Sequence, residues 1–352
     1  MNTAPDHAKR LAGVLLGTAV GDALGLPAEG LSPQKIAARW EGPWKYRFVA
    51  GRGMISDDTE HTAMVAQSLL ENPTNAERFQ TILAWKFRWW LAGLPAGVGL
   101  ATARAIFKLW LGVSPSRSGV YSAGNGPAMR SAIIGVFFAE DATRRRQFVE
   151  ASTRLTHSDP RALIGALAVA EMGAWVCSAQ NAASPIPVLK SLSDLPEWQT
   201  LVTDMETARG ENLSVPAFSA RLGLSKGVTG YVFHTVPVAI YAWWRHRGDF
   251  RDALEAALNC GGDTDTVGAI TAALAGADLG EDAIPDDLIA GIADWPRSPA
   301  WLRRVAGKLS RQTTTAQPLG AVPLFWPALP LRNLSFLIVV LIHGFGRLLP
   351  RF

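Results

Sequence analysis

The chain is organised around residues 259–266, which read NCGGDTDT. Asp263 and Asp265 stand two residues apart behind a Gly-Gly pair, and a strongly helical segment follows over residues 267–277. In a turn flanked by glycines the two carboxylates can converge on one point, and the Thr266 hydroxyl can add a further oxygen. Crowded oxygen ligands are what a hard divalent cation requires. The plainer interpretation is that Asp265 or the threonine before it caps the next helix.

A second acidic cluster has the same pattern. Residues 56–60 read SDDTE and precede a helical pattern over residues 61–70. A cap is again an alternative, because Asp57 and Glu60 have the spacing of a capping box. If the fold brings both clusters together, four aspartates and two hydroxyls surround one site. That many carboxylates cannot stay ionised close together without a counter-charge, and two Mg²⁺ or Mn²⁺ ions would supply it.

Length and composition bound the class of protein. The chain has 352 residues, 48% of them hydrophobic and 18% charged, which supports a sizeable core and argues against disorder. Its net charge of +4 implies no strong attraction to polyanions, and the basic run at 144–146 lacks interleaved aromatics, so we expect no nucleic-acid partner. Two cysteines make no disulfide framework, and residues 1–10 have no signal-peptide core. These features predict a cytoplasmic protein.

The patterning predicts an all-α fold. Residues 11–26 read as a helix with glycines at positions 13, 17, 21 and 25, so one face has almost no side chains and another helix can approach it closely. The same pattern occurs in membrane helices, but Asp22 interrupts it and favours a buried helix of a soluble protein. No segment shows convincing strand alternation, and the usual helix length of about 11–12 residues implies about ten or more helices.

Three further segments carry candidate functional groups. Glu29 follows the glycine-rich helix, and it would become a metal-site or water-orienting carboxylate if that end faces the aspartates. Residues 122–130 read SAGNGPAMR and open a helix predicted to run to Glu140. Small residues before a helix leave backbone N–H groups bare for an anion, although Gly-Asn-Gly is also an ordinary turn. His157 lies before another helix and is either a ligand-contacting group or a hydrogen-bonded loop histidine.

The composition of the chain changes toward its C-terminus. We predict a catalytic domain over residues 1–310, a linker rich in Pro and Thr over 311–330, and an apolar C-terminal tail over 331–352. Within the domain, residues 180–226 are the least patterned, with one charged helix near residues 201–206, and are interpreted as an insertion or long connection. The apolar part of the tail is short for a membrane span of about 20 residues. The tail is therefore expected to dock onto its own domain, a sister subunit or a protein partner, and peripheral membrane contact is the less favoured alternative.

The order of these motifs resembles the ADP-ribosylglycohydrolase family, which includes the dinitrogenase-reductase-activating glycohydrolases and the eukaryotic ADP-ribosyl-acceptor hydrolases. Six segments match in the family's order, roughly from residue 10 to residue 280. They are GxxxGDALG…E at 17–29, SDDT at 56–59, GNGxAMR at 124–130, THS at 156–158, GYVxHT at 230–235 and GGDTDT at 261–266.

The resemblance implies a compact multi-helix bundle with a binuclear Mg²⁺ or Mn²⁺ centre. The implied metal ligands are Ser56, Asp57, Asp58, Asp263, Asp265 and Thr266. Serine at position 56 stands where the family more often has threonine, and it keeps the hydroxyl. The implied catalytic residues are Glu29, Asp58 and Asp263. The resemblance also places the backbone of Gly124, Asn125 and Gly126 near the phosphates of ADP-ribose and His157 near the sugar.

The function that follows is metal-dependent hydrolysis that removes ADP-ribose from a modified protein side chain, with the N-glycosidic bond of arginine favoured. One alternative is another ADP-ribosyl substrate, such as a nucleobase, a small guanidine compound or O-acetyl-ADP-ribose. A second is an immunity protein that neutralises an ADP-ribosyltransferase toxin by binding it, with the tail as an interaction segment. The sequence leaves open the acceptor residue, the choice between Mg²⁺ and Mn²⁺, and the oligomeric state.

Overall fold

The computed structural model describes residues 6–178, 184–315 and 317–348 and confirms the predicted all-α fold. Within these ranges there are eighteen α-helices and no β-strand, only isolated bridges between loops. The helices are α1 (His7–Gly25), α2 (Pro33–Arg39), α3 (Asp57–Glu71), α4 (Ala76–Ala92), α5 (Leu100–Trp110), α6 (Gly126–Met129), α7 (Ala132–Phe137), α8 (Ala142–Arg154), α9 (Pro160–Trp175), α10 (Ile186–Lys190), α11 (Pro196–Gly210), α12 (Val215–Arg221), α13 (Val232–Arg245), α14 (Phe250–Leu258), α15 (Thr264–Leu279), α16 (Asp286–Gly291), α17 (Pro299–Thr313) and α18 (Leu329–Leu348).

At the centre of the fold, α1 and α15 pack backbone against backbone. A Cβ atom added to Gly13 would lie 2.0 Å from the carbonyl oxygen of Gly276, and one added to Gly25 would lie 2.4 Å from that of Thr264. The start of α1 therefore meets the end of α15, and the end of α1 meets the start of α15, so the two helices run antiparallel. The predicted close approach of a second helix to the glycine face is confirmed.

The remaining core is built around this pair. Helices α3 and α17 pack against α1, and α13 and α14 pack against α15. Every residue of α1 from Arg10 to Gly25 is buried. Two segments, His7–Ala28 and Trp326–Gly346, are long and apolar enough to cross a membrane. In this fold, 94% of the apolar stretch of the first segment is buried, against 22% of that of the second. The first segment is thus a core helix, as the buried Asp22 leads one to expect.

A glycine pair fixes the turn that precedes α15. Gly261 and Gly262 have φ angles of 66° and 79°. Residues other than glycine adopt such positive φ angles only at a cost in free energy. A Cβ atom on Gly262 would lie 1.9 Å from the carbonyl oxygen of Val228. The neighbouring loop therefore closes directly onto this turn, and the start of α15 is held in one position.

Two predicted segments differ from the structure. The helix expected to run to Glu140 is broken into α6 and α7, because Arg130 has φ −107° and ψ 12° and turns its guanidinium into the core. There it donates to the Gly126 carbonyl and to Ser152. The connection predicted at 180–226 is more helical than expected. The helix predicted near residues 201–206 lies within α11, and α10 and α12 also lie in this segment. Both α11 and α12 pack on α13. Residues 179–183 lie outside the described ranges.

The last helix, α18, lies against its own domain along one stripe. Arg332, Asn333 and Phe336 are buried there. The opposite side of the helix exposes large apolar side chains, among them Ile342 and Phe345 with about two thirds of their surface accessible, 67% and 65%. Residues 349–352 of the predicted tail lie outside the described ranges.

The contact between α1 and α15 is testable with one methyl group. We expect Gly17→Ala to lower the free energy of unfolding by about 3 kcal/mol, because its Cβ would lie 2.2 Å from the Ala272 carbonyl oxygen and neither backbone can move aside. Urea unfolding followed by circular dichroism measures this loss. Gly307→Ala is the control, since that glycine is exposed in α17 with nothing within 4 Å of an added Cβ. Equal stability of the two variants would contradict the contact.

Candidate active site

The acidic starts of α3 and α15 face one cavity of about 540 Å³. Ten residues that the sequence analysis singled out line it: Glu29, Ser56, Asp57, Gly124, Asn125, Gly126, His157, Asp263, Asp265 and Thr266. Asp58 lies behind this lining and is buried, and its Oδ2 accepts a hydrogen bond of 3.3 Å from the Thr266 hydroxyl. The structure therefore brings together all the residues predicted for the site, including two acidic clusters with 204 residues of chain between Asp58 and Asp263.

The aspartates at these helix starts do not serve as caps. The N-cap side chains of α3 and α15 are Ser56 and Asp263, and neither makes a capping hydrogen bond. Eight other helices in the described ranges do have such a bond, from Asp, Ser or Asn. Glu60 is not part of a capping box either, because it accepts hydrogen bonds from Trp90 at 2.5 Å and Arg297 at 2.6 Å. The acidic side chains at the cavity therefore remain available to a ligand.

Asp22 caps α3 from another helix. Its carboxylate accepts hydrogen bonds from the backbone N–H of Ser56 at 2.8 Å, the N–H of Thr59 at 3.1 Å and the Thr59 hydroxyl at 2.5 Å. Burial raises the pKa of Asp22 to about 6, although these hydrogen bonds oppose the shift. In the sequence, Asp22 indicates only that α1 belongs to a soluble protein, and this capping role is not apparent there. A lone aspartate in a glycine-rich apolar helix was the pattern that could have revealed it.

Several buried oxygens at the site lack a hydrogen-bonding partner. They are Ser56 Oγ, Asp58 Oδ1 and Asp265 Oδ1. In addition, one carboxylate oxygen from each of Glu29, Asp263 and Asp265 lies within 4.8 Å of the other two. Leaving buried carboxylate oxygens unpaired is costly. A donor set made only of carboxylates and hydroxyls fits a hard divalent cation and does not fit a soft one.

The charges of this cluster need compensation. Burial raises the pKa of Asp57, Asp58 and Asp265 well above the usual aspartate range, and the neighbouring carboxylates raise each of them further. Burial also raises the pKa of Asp263, although a hydrogen bond from Asn125 works in the other direction. Burial is thus the main cause of all four shifts, and mutual repulsion adds to it at Asp57, Asp58 and Asp265. A bound cation would compensate the clustered negative charge.

Backbone hydrogen bonds hold the loops of the cavity together. Gly262 accepts from Gly30 N–H at 2.7 Å and donates to the Leu31 carbonyl at 2.8 Å, which fixes Glu29 beside α15. On the other side, the Asn125 side-chain amide donates to Asp263 Oδ2 at 2.5 Å. Asn125 therefore orients a carboxylate of the cluster, a role beyond the backbone position that the resemblance implied.

His157 borders the other end of the cavity. Its Nδ1 lies 2.9 Å from the Thr156 hydroxyl, which also accepts from Arg130 at 2.8 Å. Its Nε2 lies next to Gly124, where an added Cβ would come within 2.9 Å of it. Burial, with a smaller contribution from Arg130, lowers the pKa of His157 to about 3. The two interpretations of this residue are therefore compatible, because the imidazole is hydrogen-bonded in its loop and also lines the cavity in its neutral form.

The C-terminal helix contains no residue that the sequence predicts for the site. Phe336 and Val340 of α18 nevertheless line the same cavity as Glu29 and Ser56. A helical apolar stripe in the tail was visible in the sequence, but nothing in it indicated which surface of the domain it would cover.

Comparisons with known proteins agree with this geometry. A sequence model described as ADP-ribosylglycohydrolase matches residues 3–318. An uncharacterized protein of Archaeoglobus fulgidus is 32% identical over 80% of this chain and 90% of its own. The ADP-ribosylarginine hydrolase Tri1 of Pseudomonas putida is 25% identical over 88% of this chain and 79% of its own.

A solved structure supports the same assignment at the level of the fold. It is described as an ADP-ribosylglycohydrolase-related protein complex, with 27% sequence identity and a TM-score of 0.60, and the match covers 87% of this chain and 99% of the other. The family match spans most of the chain and contains both acidic helix starts. The chain therefore belongs to the ADP-ribosylglycohydrolase family of enzymes.

Proposed function

We propose that the enzyme uses two divalent cations, Mg²⁺ or Mn²⁺, to remove ADP-ribose from a modified protein side chain, with the N-glycosidic bond of arginine as its preferred substrate. The observation that carries this proposal is the convergence of two uncapped acidic helix starts, with unpaired buried oxygens, on one cavity. The preference for arginine is supported by the relative whose name specifies ADP-ribosylarginine.

The cations have a ready set of ligands. Residues that would hold them are Ser56, Asp57, Asp58, Asp263, Asp265 and Thr266. Bound there, the ions would supply positive charge to the carboxylates and electrophilic assistance to the hydroxyl and ring oxygens of the ribose. Asn125 keeps Asp263 turned toward the cluster through its hydrogen bond of 2.5 Å. In this proposal the cation ligands come from the starts of α3 and α15, and the group that orients Asp263 comes from the loop before α6.

Glu29 is placed to handle protons. It is exposed at the cavity and offers a carboxylate oxygen within 4.8 Å of Asp263 and Asp265. In the proposed reaction Glu29 accepts a proton from water while the water oxygen bonds to the anomeric carbon of the ribose. The electron pair of the broken C–N bond goes to the guanidine nitrogen, and the proton passes on to that nitrogen. Glu29 thus returns to its ionised form at the end of each turnover.

The other end of the cavity suits the rest of ADP-ribose. A volume of about 540 Å³ lies within the usual range for small-molecule sites. Gly124 and Gly126 leave the backbone bare of side chains beside His157. Because His157 Nδ1 is engaged by the Thr156 hydroxyl, Nε2 is the ring nitrogen left to contact a hydroxyl or phosphate oxygen of the ligand. This end would bind the diphosphate and sugar, and the carboxylate end would then receive the scissile bond.

The proposed hydrolysis is testable with isosteric changes. We expect Asp58→Asn and Asp265→Asn each to lower kcat/KM on an arginine-ADP-ribosylated protein by about 100-fold or more in Mn²⁺, because each removes a carboxylate from the cation site. Release of ADP-ribose, measured by chromatography, gives the rates. The control is Asp194→Asn, an exposed carboxylate in the loop before α11, which should leave the rate unchanged.

The same assay separates the substrate classes. O-acetyl-ADP-ribose and an ADP-ribosylated nucleobase are run beside the protein substrate with the same enzyme. Turnover of either in clear preference to the protein would replace the arginine proposal. Equal rates for wild type and both aspartate variants on every substrate would contradict a cation-dependent site.

The state of His157 gives a pH dependence of stability. Its pKa in the folded protein is about 3, below the ordinary value of about 6.5. Between these values the unfolded chain binds a proton that the folded chain does not, so the free energy of unfolding falls as the pH decreases. We expect wild type to lose about 1–2 kcal/mol more than His157→Gln between pH 7 and pH 5. Urea unfolding at both pH values, in buffers that contain a metal chelator, measures the difference. If the free energy of unfolding falls equally in both proteins, His157 is not held neutral.

A further inference from the structure

Two residues of α18 form part of the cavity wall. Phe336 is 2% exposed and Val340 is half-buried, and both face the cavity that Glu29, Ser56 and Asp57 line. Phe336 and Val340 lie one turn apart, so they belong to one face of the helix. The opposite face, with Ile342, is exposed. The helix therefore presents a defined apolar strip to the site.

A buried arginine anchors this strip beside the acidic cluster. Arg332 donates to the carbonyl of Ile55, the residue before Ser56, and to Asp294 at 2.5 Å in each case. The Arg332 guanidinium also lies 4.6 Å from the centroid of the Phe336 ring and covers one of its faces. Both Arg332 and Asp294 are buried, and breaking a buried ion pair is strongly unfavourable. Phe336 is thus held in place by the same residue that joins α18 to the start of α3.

Contacts on either side fix the position of the helix. The His343 ring has its Nε2 2.9 Å from the carbonyl oxygen of Pro27, two residues before Glu29. Asn333 donates to the Gly93 carbonyl at 2.7 Å. Because α18 touches the backbone just before Ser56 and just before Glu29, its strip borders the carboxylate end of the cavity. The His157 end is formed by other loops.

The strip lies outside the residues that the family model matches. The family match ends at residue 318, and α18 begins at Leu329. The cation ligands and the loops around Gly124 and His157 all lie inside the match. The wall contributed by Phe336 and Val340 therefore lies outside the matched residues.

We propose that α18 forms the acceptor-side wall of the active site and that Phe336 and Val340 determine which acceptor group fits beside the scissile bond. This inference rests on the proposed function, which assigns the carboxylate end of the cavity to the bond that is broken. An arginine acceptor approaches through three methylene groups, and apolar side chains can contact that stem. A short acceptor such as an acetyl group hardly reaches the wall. The wall therefore affects which acceptor is hydrolysed and does not change the affinity for ADP-ribose.

The experiment compares one substrate with a long acceptor and one with a short acceptor. In Mn²⁺, Val340→Phe should lower kcat/KM on the arginine-ADP-ribosylated protein by about tenfold or more, since hydrophobic pockets discriminate by such factors for small changes in size. Hydrolysis of O-acetyl-ADP-ribose should change by less than about twofold. Phe336→Ala should change the ratio of the two kcat/KM values by about fivefold or more. Phe336→Leu should keep this ratio closer to the wild-type value than Phe336→Ala does. The dissociation constant of free ADP-ribose, measured by calorimetry, should stay within about twofold of wild type in each variant.

Control variants on the same helix separate contact from folding. Ile342→Phe enlarges a side chain on the exposed face and should leave both substrates unaffected. Thermal unfolding identifies any variant that has lost its fold, and Val340→Phe and Phe336→Leu keep the test open if Phe336→Ala is unstable. An unchanged ratio in folded Val340→Phe and Phe336→Ala, or an equal loss of ADP-ribose binding, overturns the proposal.

Failure of the proposed function would appear differently. Wild-type enzyme would then hydrolyse neither substrate, or would hydrolyse O-acetyl-ADP-ribose in clear preference to the protein. In that case the wall is judged by calorimetry alone, with ADP-ribosyl-arginine and ADP-ribose as ligands. The proposal requires Val340→Phe to weaken binding of the first and not of the second, and equal effects on both reject it.

Discussion

The contact between the backbones of α1 and α15 is the constraint on which the rest of the structure depends. Four glycines on α1 let the helices approach until the carbonyl groups of α15 occupy the space of missing side chains. Interiors packed this closely leave little freedom of position. The end of α1 is thereby placed beside the start of α15. Glu29, just after α1, and Asp263 and Asp265, at the start of α15, meet for this reason.

The second acidic cluster can take part in the same site because a carboxylate from another helix caps α3. Asp22 of α1 takes over the capping of α3, so Asp57 and Asp58 are not used for that purpose. Several buried acidic groups then stand close together, which is unfavourable for the protein alone. Local rules of stability are broken in this way where a site serves function. The arrangement is understandable as a cation site and has no evident structural benefit without one.

Much of this could be predicted from the sequence because the decisive patterns are local. Glycine spacing in α1 predicted the close helix contact. The repeated acidic pattern at two helix starts indicated one site on the condition that the fold brings them together, and the resemblance to a known family implied that it does. The order of six motifs indicated the family. What could not be predicted depends on contacts distant in sequence. The cap provided by Asp22 requires α3 to lie against α1, the break at Arg130 requires the carbonyl and hydroxyl of Ser152, and the wall at Phe336 requires the pairing of Arg332 with Asp294.

The central claim is that both acidic helix starts bind the same cations. Anomalous diffraction from crystals soaked in Mn²⁺ tests it most directly, because the metal positions are then seen without assumptions about activity. We expect strong anomalous peaks in the cavity within about 2.5 Å of oxygen atoms from both α3 and α15, including Asp58 and Asp265. Peaks that contact only one of the two helix starts, or none in the cavity, would contradict the account.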